Sequence, residues 1–389
     1  MRIAFFAWES LHSVAVGGCA RHVTELAAAL QRRGHEVHVF VRVGEGQSPY
    51  DLVDGVHYHR CPIQVHPDFV TEMNNMGNSF VYFLGQVEAH QGDRFDIVHG
   101  HDWLCAKGLV QCKNDRGNRT VLTVHSTEYG RCGNVLHNGQ SERIRSVEGE
   151  GVYVADRVIT VSGALADEVK WLYHVPDWKL RTIYNGINCQ RFDGFIDPAV
   201  CRRTYGIGPL DPMVLFVGRM STQKGPDILL EAVPGILKNR GDVKVVFVGD
   251  GDMRWPLEHR ARQIGVAHAT RFLGAMGADS DLINLYKSAD VVCIPSRNEP
   301  FGIVVLEAWA AGKPVVATRN GGMRDIVSHG TDGLLVYDNP NSICWGINEI
   351  FHNFAHAKWM GERGRAKAAF SFNWDTIAVQ TEDVYREIA

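Results

Sequence analysis

The sequence lacks an excess of either charge. In 389 residues, 40 lysines and arginines face 44 aspartates and glutamates, for a formal net charge of −4. A dedicated nucleic-acid binder gathers a basic excess on one face, so no nucleic-acid partner is expected. The nine cysteines are scattered and contain no C-x-x-C pair. That argues against a disulfide framework and a zinc finger, and fits thiols kept reduced in a cytosol. No run approaches the ~18 apolar residues of a membrane span. The opening MRIAFFAWES is too short an apolar run for a signal peptide and is closed by Glu9, so a cytoplasmic protein is expected. Four motifs are also missing: G-x-G-x-x-G after the first strand, G-x-x-x-x-G-K-[ST], H-E-x-x-H and G-x-S-x-G. Their absence argues against a dinucleotide-binding oxidoreductase, a P-loop NTPase, a zinc protease and an α/β-hydrolase.

What the chain does have is a regular alternation. Short β-branched runs predict strands at Arg2–Trp8, Glu36–Val41, Asp96–His101, Thr120–Ser126, Arg157–Ser162 and Arg181–Tyr184. A second series follows at Met213–Arg219, Val243–Gly249, Arg271–Gly274, Val291–Ser296, Pro314–Arg319 and Gly333–Tyr337. Each is followed by an amphipathic helical stretch. Several strands are apolar at consecutive positions, as when helices cover both faces of a parallel sheet. A polar stretch, Asn185–Pro212, separates the two series. The expected fold is therefore α/β: two facing, doubly wound, Rossmann-like parallel-sheet domains with a cleft between them. The expected boundaries are 1–190, 191–369, and a C-terminal helix over 370–389 that crosses back to the N-terminal domain to bury its aromatics. In such sheets ligands bind beyond the C-terminal strand ends, so residues just after strands are the first candidates.

Four constellations occupy those positions. Gly17-Gly18, after the first strand and at the start of a helix, leaves room for a phosphate at the backbone; a tight turn is the plain alternative. Arg219 and Lys224, in G-R-M-S-T-Q-K-G, place two cations beside a helix start, which suits a diphosphate. Glu299 lies in a loop before Gly302, which opens a helix carrying Glu307 one turn inside. A loop carboxylate can hold sugar hydroxyls, a helical one a ribose diol, and the amides of Phe301, Gly302, Ile303 and Val304 can receive phosphate oxygens. Glu307 sits among apolar neighbours and needs a partner. In the first half, H-G-H-D-W and T-V-H-S-T-E-Y-G-R place His101, Asp102, His125 and Tyr129 at strand ends. No metal is expected: His99/His101 and His57/His59 alternate on strands without an evident third ligand, and Asp250-Gly251-Asp252 reads equally well as a turn.

Together these motifs resemble the family-4 glycosyltransferases, retaining enzymes of the two-Rossmann (GT-B) architecture. The most specific element is E-P-F-G-I-V-V-L-E, Glu299 to Glu307. G-R-M-S-T-Q-K-G, Y-N-G-I-N, V-G-D-G-D, F-L-G and G-G-M-R-D follow the family's order. The two histidine motifs resemble those of bacterial and archaeal glycogen synthases. The resemblance implies transfer of a hexose, glucose by this likeness, from a UDP- or ADP-sugar to a glucan or other carbohydrate, without a metal cofactor. Arg219 and Lys224 would hold the donor diphosphate, Glu299 the donor sugar and Glu307 the ribose. His125 would contact the sugar near the reacting carbon. Gly17, Gly18 and Gly249 would belong to the donor site, and His101, Asp102 and Tyr129 would face the acceptor. The sequence departs from glycogen synthases at Ala15-Val16, where these typically carry a lysine, and at Asn188, where aspartate is common. A lipid or small-molecule acceptor, with a peripheral membrane contact, is the alternative. A sugar-nucleotide epimerase and a non-catalytic sugar-nucleotide binder are more remote. Oligomeric state is left open.

Overall fold

The computed structural model describes residues 1–276 and 279–389. The described chain forms two compact units, Met1–Gly186 with Trp374–Ala389, and Ile187–Asn373. Each is an α/β domain built on one central sheet.

The first sheet has eight strands: β1 (Arg2–Ala7), β2 (Glu36–Arg42), β3 (Tyr50–Val53), β4 (Val56–Cys61), β5 (Ile97–His101), β6 (Arg119–Val124), β7 (Arg157–Thr160) and β8 (Leu180–Thr182). Their spatial order is β3-β4-β2-β1-β5-β6-β7-β8. Every residue of β1 is buried, as the unbroken apolar run predicts for a central parallel strand. One edge departs from the all-parallel expectation, because β3 pairs antiparallel with β4. The cause is local. Asp54 (φ 51°) and Gly55 (φ 76°) both take the left-handed conformations of a tight hairpin turn, which Asp-Gly adopts readily.

The second sheet has six strands, all parallel: β9 (Met213–Val217), β10 (Lys244–Val248), β11 (Thr270–Gly274), β12 (Val291–Ile294), β13 (Val315–Thr318) and β14 (Gly333–Val336). They lie in the order β11-β10-β9-β12-β13-β14. The order therefore reverses between β1 and β5 in one sheet and between β9 and β12 in the other. These are the topological switch points at which such sheets leave a crevice for a ligand.

The aromatic tail divides between the units. Phe372 lies against Phe301 and Trp309 of the second unit. The helix Trp374–Arg386 buries Trp374, Ile377, Ala378 and Tyr385 in the core of the first. Arg33 and Glu382 form an ion pair at 2.5 Å across that packing, and the Tyr385 hydroxyl meets His99 Nδ1 at 2.6 Å.

Candidate functional site

In the second unit, the loops after β9 and β12 meet at the switch point. The backbone binds them first: the Arg297 amide donates to the Gln223 carbonyl at 2.9 Å. The Arg297 guanidinium then reaches the Thr222 carbonyl at 2.9 Å and the Asp227 carboxylate at 2.8 and 2.5 Å. This clamp places Lys224 opposite Glu299. The Lys224 ammonium donates to Glu299 Oε2 at 2.7 Å, and the Ser296 hydroxyl donates to the same oxygen at 3.2 Å. Glu299 is buried, while Lys224 is half-buried. Arg219, on the same loop as Lys224, is exposed and makes no ion pair among the described residues. Gly302 (φ 105°) caps the helix Ile303–Ala310, whose first amides have no intrahelical acceptor. Phe301 is buried beside it. Glu307 does find the partner its apolar surroundings demand: the Tyr286 hydroxyl donates to it at 2.6 Å.

Gly249 and the D-G-D motif serve the loop framework. A Cβ on Gly249 would stand 2.0 Å from the Gly218 carbonyl oxygen, so its place is a close approach between the loops after β9 and β10. Asp250 accepts from the Gly251 amide at 2.8 Å and pairs with Arg254 at 3.1 Å, as in an ordinary turn.

In the first unit, Glu9 is buried after β1, and its Oε2 accepts from the amides of Val16 (2.7 Å) and Gly17 (2.8 Å). This fixes the loop ahead of the helix Gly18–Arg32 and leaves Gly17 and Gly18 exposed. His125 follows β6. Its amide donates to Asp102 Oδ1 at 2.6 Å, and its Nε2 stands 3.3 Å from His101 Nδ1. His101 is only 1% exposed, stacked between His99 and His125. His101 is thus packed out of solvent, behind His125. Asp102 is likewise turned inward, its carboxylate holding the loop that carries His125. Tyr129 remains half-buried, its ring edge on Trp171. Burial lowers the His125 pKa to about 4 and depresses those of His22, His99 and His101 well below the usual range. The stack is therefore neutral at pH 7.

Two comparisons with known families fit these two units one to one. The profile described as "Glycosyltransferase Family 4" matches residues 16–191, and "Glycosyl transferases group 1" matches residues 202–367. An uncharacterized glycosyltransferase of Methanocaldococcus jannaschii is 39% identical over 99% of this chain and 98% of its own. The chain belongs to the GT-B glycosyltransferases. A glycogen synthase of Mycobacterium tuberculosis is 30% identical over 99% of this chain and 94% of its own. A D-inositol 3-phosphate glycosyltransferase of Actinosynnema mirum is 32% identical over 95% and 94%. Among solved structures, sucrose-phosphate synthase from Thermosynechococcus elongatus superposes with a TM-score of 0.82 at 24% identity, covering 99% of this chain and 98% of that one. Anabaena HepE in complex with UDP-glucose does so with 0.78 at 20%, covering all of both chains. At these identities the structures establish the shared fold.

Each unit also holds, beside these constellations, a residue that sequence reasoning passes over. His22 lies on the buried face of the helix that Gly18 opens. Its Nδ1 is 2.7 Å from Asn185 Oδ1, and its ring meets His125 edge-on at 4.5 Å. The signal is its spacing, one helical turn beyond Gly18. Gly321 (φ 60°) stands out in the sequence only as part of G-G-M-R-D. A Cβ at this position would fall 2.0 Å from the Glu299 carbonyl oxygen, and the neighbouring Gly322 amide donates to that same oxygen at 2.8 Å. Gly321→Ala is therefore expected to displace Glu299 and to destabilise the second unit by about 1–3 kcal/mol. Thermal unfolding and transfer kinetics read the two effects together. An unchanged melting temperature with full activity would show that the loop absorbs the methyl group.

Proposed function

We propose that this glycosyltransferase moves a hexose, glucose in the first instance, from a UDP- or ADP-sugar to a glucan or another carbohydrate acceptor, with retention of anomeric configuration. The observation that carries this reading is the Lys224–Glu299 pair at 2.7 Å, held at the switch point of the second sheet. Arg219 and Lys224 neutralise the diphosphate, helped by the first amides of Ile303–Ala310. Glu299 holds the donor sugar, and Glu307, fixed by Tyr286, takes the ribose. His125, neutral and supported from behind by His101 and Asp102, contacts the transferred sugar. Gly17, Gly18 and Tyr129 complete the phosphate and acceptor contacts. As the glycosidic bond to the diphosphate breaks, positive charge grows on the sugar ring and negative charge on the leaving phosphate. Preorganised cations stabilise the latter.

A small-molecule acceptor is the second reading, favoured by the inositol-phosphate glycosyltransferase at 32% identity and by Ala15-Val16 in place of the lysine typical of glycogen synthases. The test is transfer from UDP-, ADP- and GDP-hexoses, with and without glycogen, in EDTA. Growth of glycogen from UDP- or ADP-glucose is the expected result. Nucleotide release without polymer growth moves the acceptor to the second reading, and silence with every donor overturns both.

A further inference from the structure

At the far edge of the first sheet, away from the residues assigned to transfer, three histidines and a glutamate come together from neighbouring strands. The parallel register sets His38 of β2 opposite His57 of β4, and their rings stack at 4.3 Å between centroids. Side chains two apart on one strand share a face, so Glu36 joins His38 and His59 joins His57. Sequence spacing alone shows His57 and His59 without a third ligand; the adjoining strand supplies it. His38 Nε2 lies 2.8 Å from Glu36 Oε1, and one ligand atom from each of Glu36, His38 and His57 stands within 4.8 Å of the other two.

We propose that Glu36, His38 and His57 form a binding site for a divalent transition metal of the zinc class. Two imidazoles and one carboxylate make a donor set suited to zinc, copper or nickel, whereas magnesium and calcium take oxygen ligands. Tetrahedral ligands at zinc stand about 3.3 Å apart, so the triad needs only small adjustments of side chains. Two further groups orient the ligands as outer-shell partners do. The Tyr50 hydroxyl lies 2.8 Å from His57 Nδ1; with Nδ1–H donating to it, the Nε2 lone pair is left for the metal. His59 Nε2 lies 2.9 Å from His38 Nδ1. When the metal takes His38 Nε2, the ring proton moves to Nδ1 and donates to His59, which adopts the complementary tautomer, so no proton is lost. His38 is fully enclosed, whereas the Glu36 side chain is 45% exposed, which gives the ion a path in and leaves a coordination position for water. The neighbouring cation is Arg2, whose Nε reaches Glu36 Oε1 at 3.1 Å. Its guanidinium is also held by the Asp93 carbonyl at 2.5 Å and lies over the Phe95 ring, so it has anchors besides the carboxylate.

The test is calorimetric titration of Zn²⁺ alone into the full-length, chelator-treated protein. We expect one equivalent to bind, and both His57→Gln and Glu36→Gln to weaken binding by about tenfold or more. Zn²⁺ should raise the melting temperature of the unsubstituted protein and not that of His57→Gln. Because His57 is only half-buried, His57→Gln should fold normally; its melting temperature without metal checks this. Absence of saturable binding would overturn the site. So would stoichiometric binding untouched by either substitution, which would place the ion elsewhere, for instance at the His22, His101, His125 group.

Discussion

Lys224→Ala should lower kcat/KM for sugar transfer by about 10²–10³-fold, the usual loss on removing one preorganised group that stabilises developing charge. The loss should fall on kcat as well as KM, because the diphosphate carries more negative charge in the transition state than in the bound donor. The same substitution leaves Glu299 buried, with the Ser296 hydroxyl as its remaining polar side-chain partner among the described residues. We therefore expect a stability loss of about 1–2 kcal/mol, reduced from the cost of breaking a fully buried pair because the Lys224 side chain is 28% exposed. Lys224→Arg keeps the charge and should retain more activity than the alanine variant. Steady-state kinetics at saturating acceptor, beside thermal unfolding, separates the two effects. Near-normal turnover in a folded Lys224→Ala protein would remove this residue, and with it the diphosphate site, from the proposal.

The second large effect is on acid stability. His22, His99, His101 and His125 are held neutral by burial, with His125 lowered to about 4. In the unfolded chain each protonates near pH 6.5. Below that pH the unfolded state binds more protons than the folded one, so stability falls as the pH falls. Each group forfeits about 1.4 kcal/mol per pH unit until its folded-state pKa is reached. Glu148 opposes this. Burial raises its pKa to about 7, so it favours the folded state at low pH and loses that contribution as the pH rises from about 4.5 to 7. Burial also raises Glu25, Asp102 and Glu168, which act with Glu148, and it lowers His38 to about 4 and His59 to about 3, which add to the loss. The lowered imidazoles outnumber the raised carboxyls, and a net fall in stability from pH 7 to 5 is expected. Denaturant unfolding at the two pH values measures it. Equal midpoints would mean that the histidines gain partners on protonation.

The α/β architecture is legible because consecutive apolar residues in β1, β9, β10 and β12 leave few other possibilities. Lys224 and Glu299 are legible because each sits just past such a strand, beside a glycine that opens a turn. The rest depends on pairings across long stretches of chain. Glu307 plainly requires a partner, but nothing near it in sequence points to Tyr286, 21 residues away. His101 and Asp102 stand at a strand end, but nothing in the sequence shows that His101 is buried behind His125 or that Asp102 accepts from the His125 amide. The short β3 escapes sequence reading because its four residues lack an apolar run, although Asp54-Gly55 marks the hairpin. The cluster of Glu36, His38 and His57 depends on the register of β2 against β4, which spacing along one strand cannot convey.

The return of the helix Trp374–Arg386 to the first unit has a consequence for synthesis. The second unit is one continuous stretch of chain and can complete its core as soon as it has left the ribosome. The first unit, begun earlier, cannot. Its sheet emerges with the hydroxyl partner of His99 and the indole beside His22 still missing, and both arrive only after the whole second unit has been made. The half that is translated first is thus finished last. Its uncovered helix Gly18–Arg32 is the surface that a nascent chain must shield in the meantime.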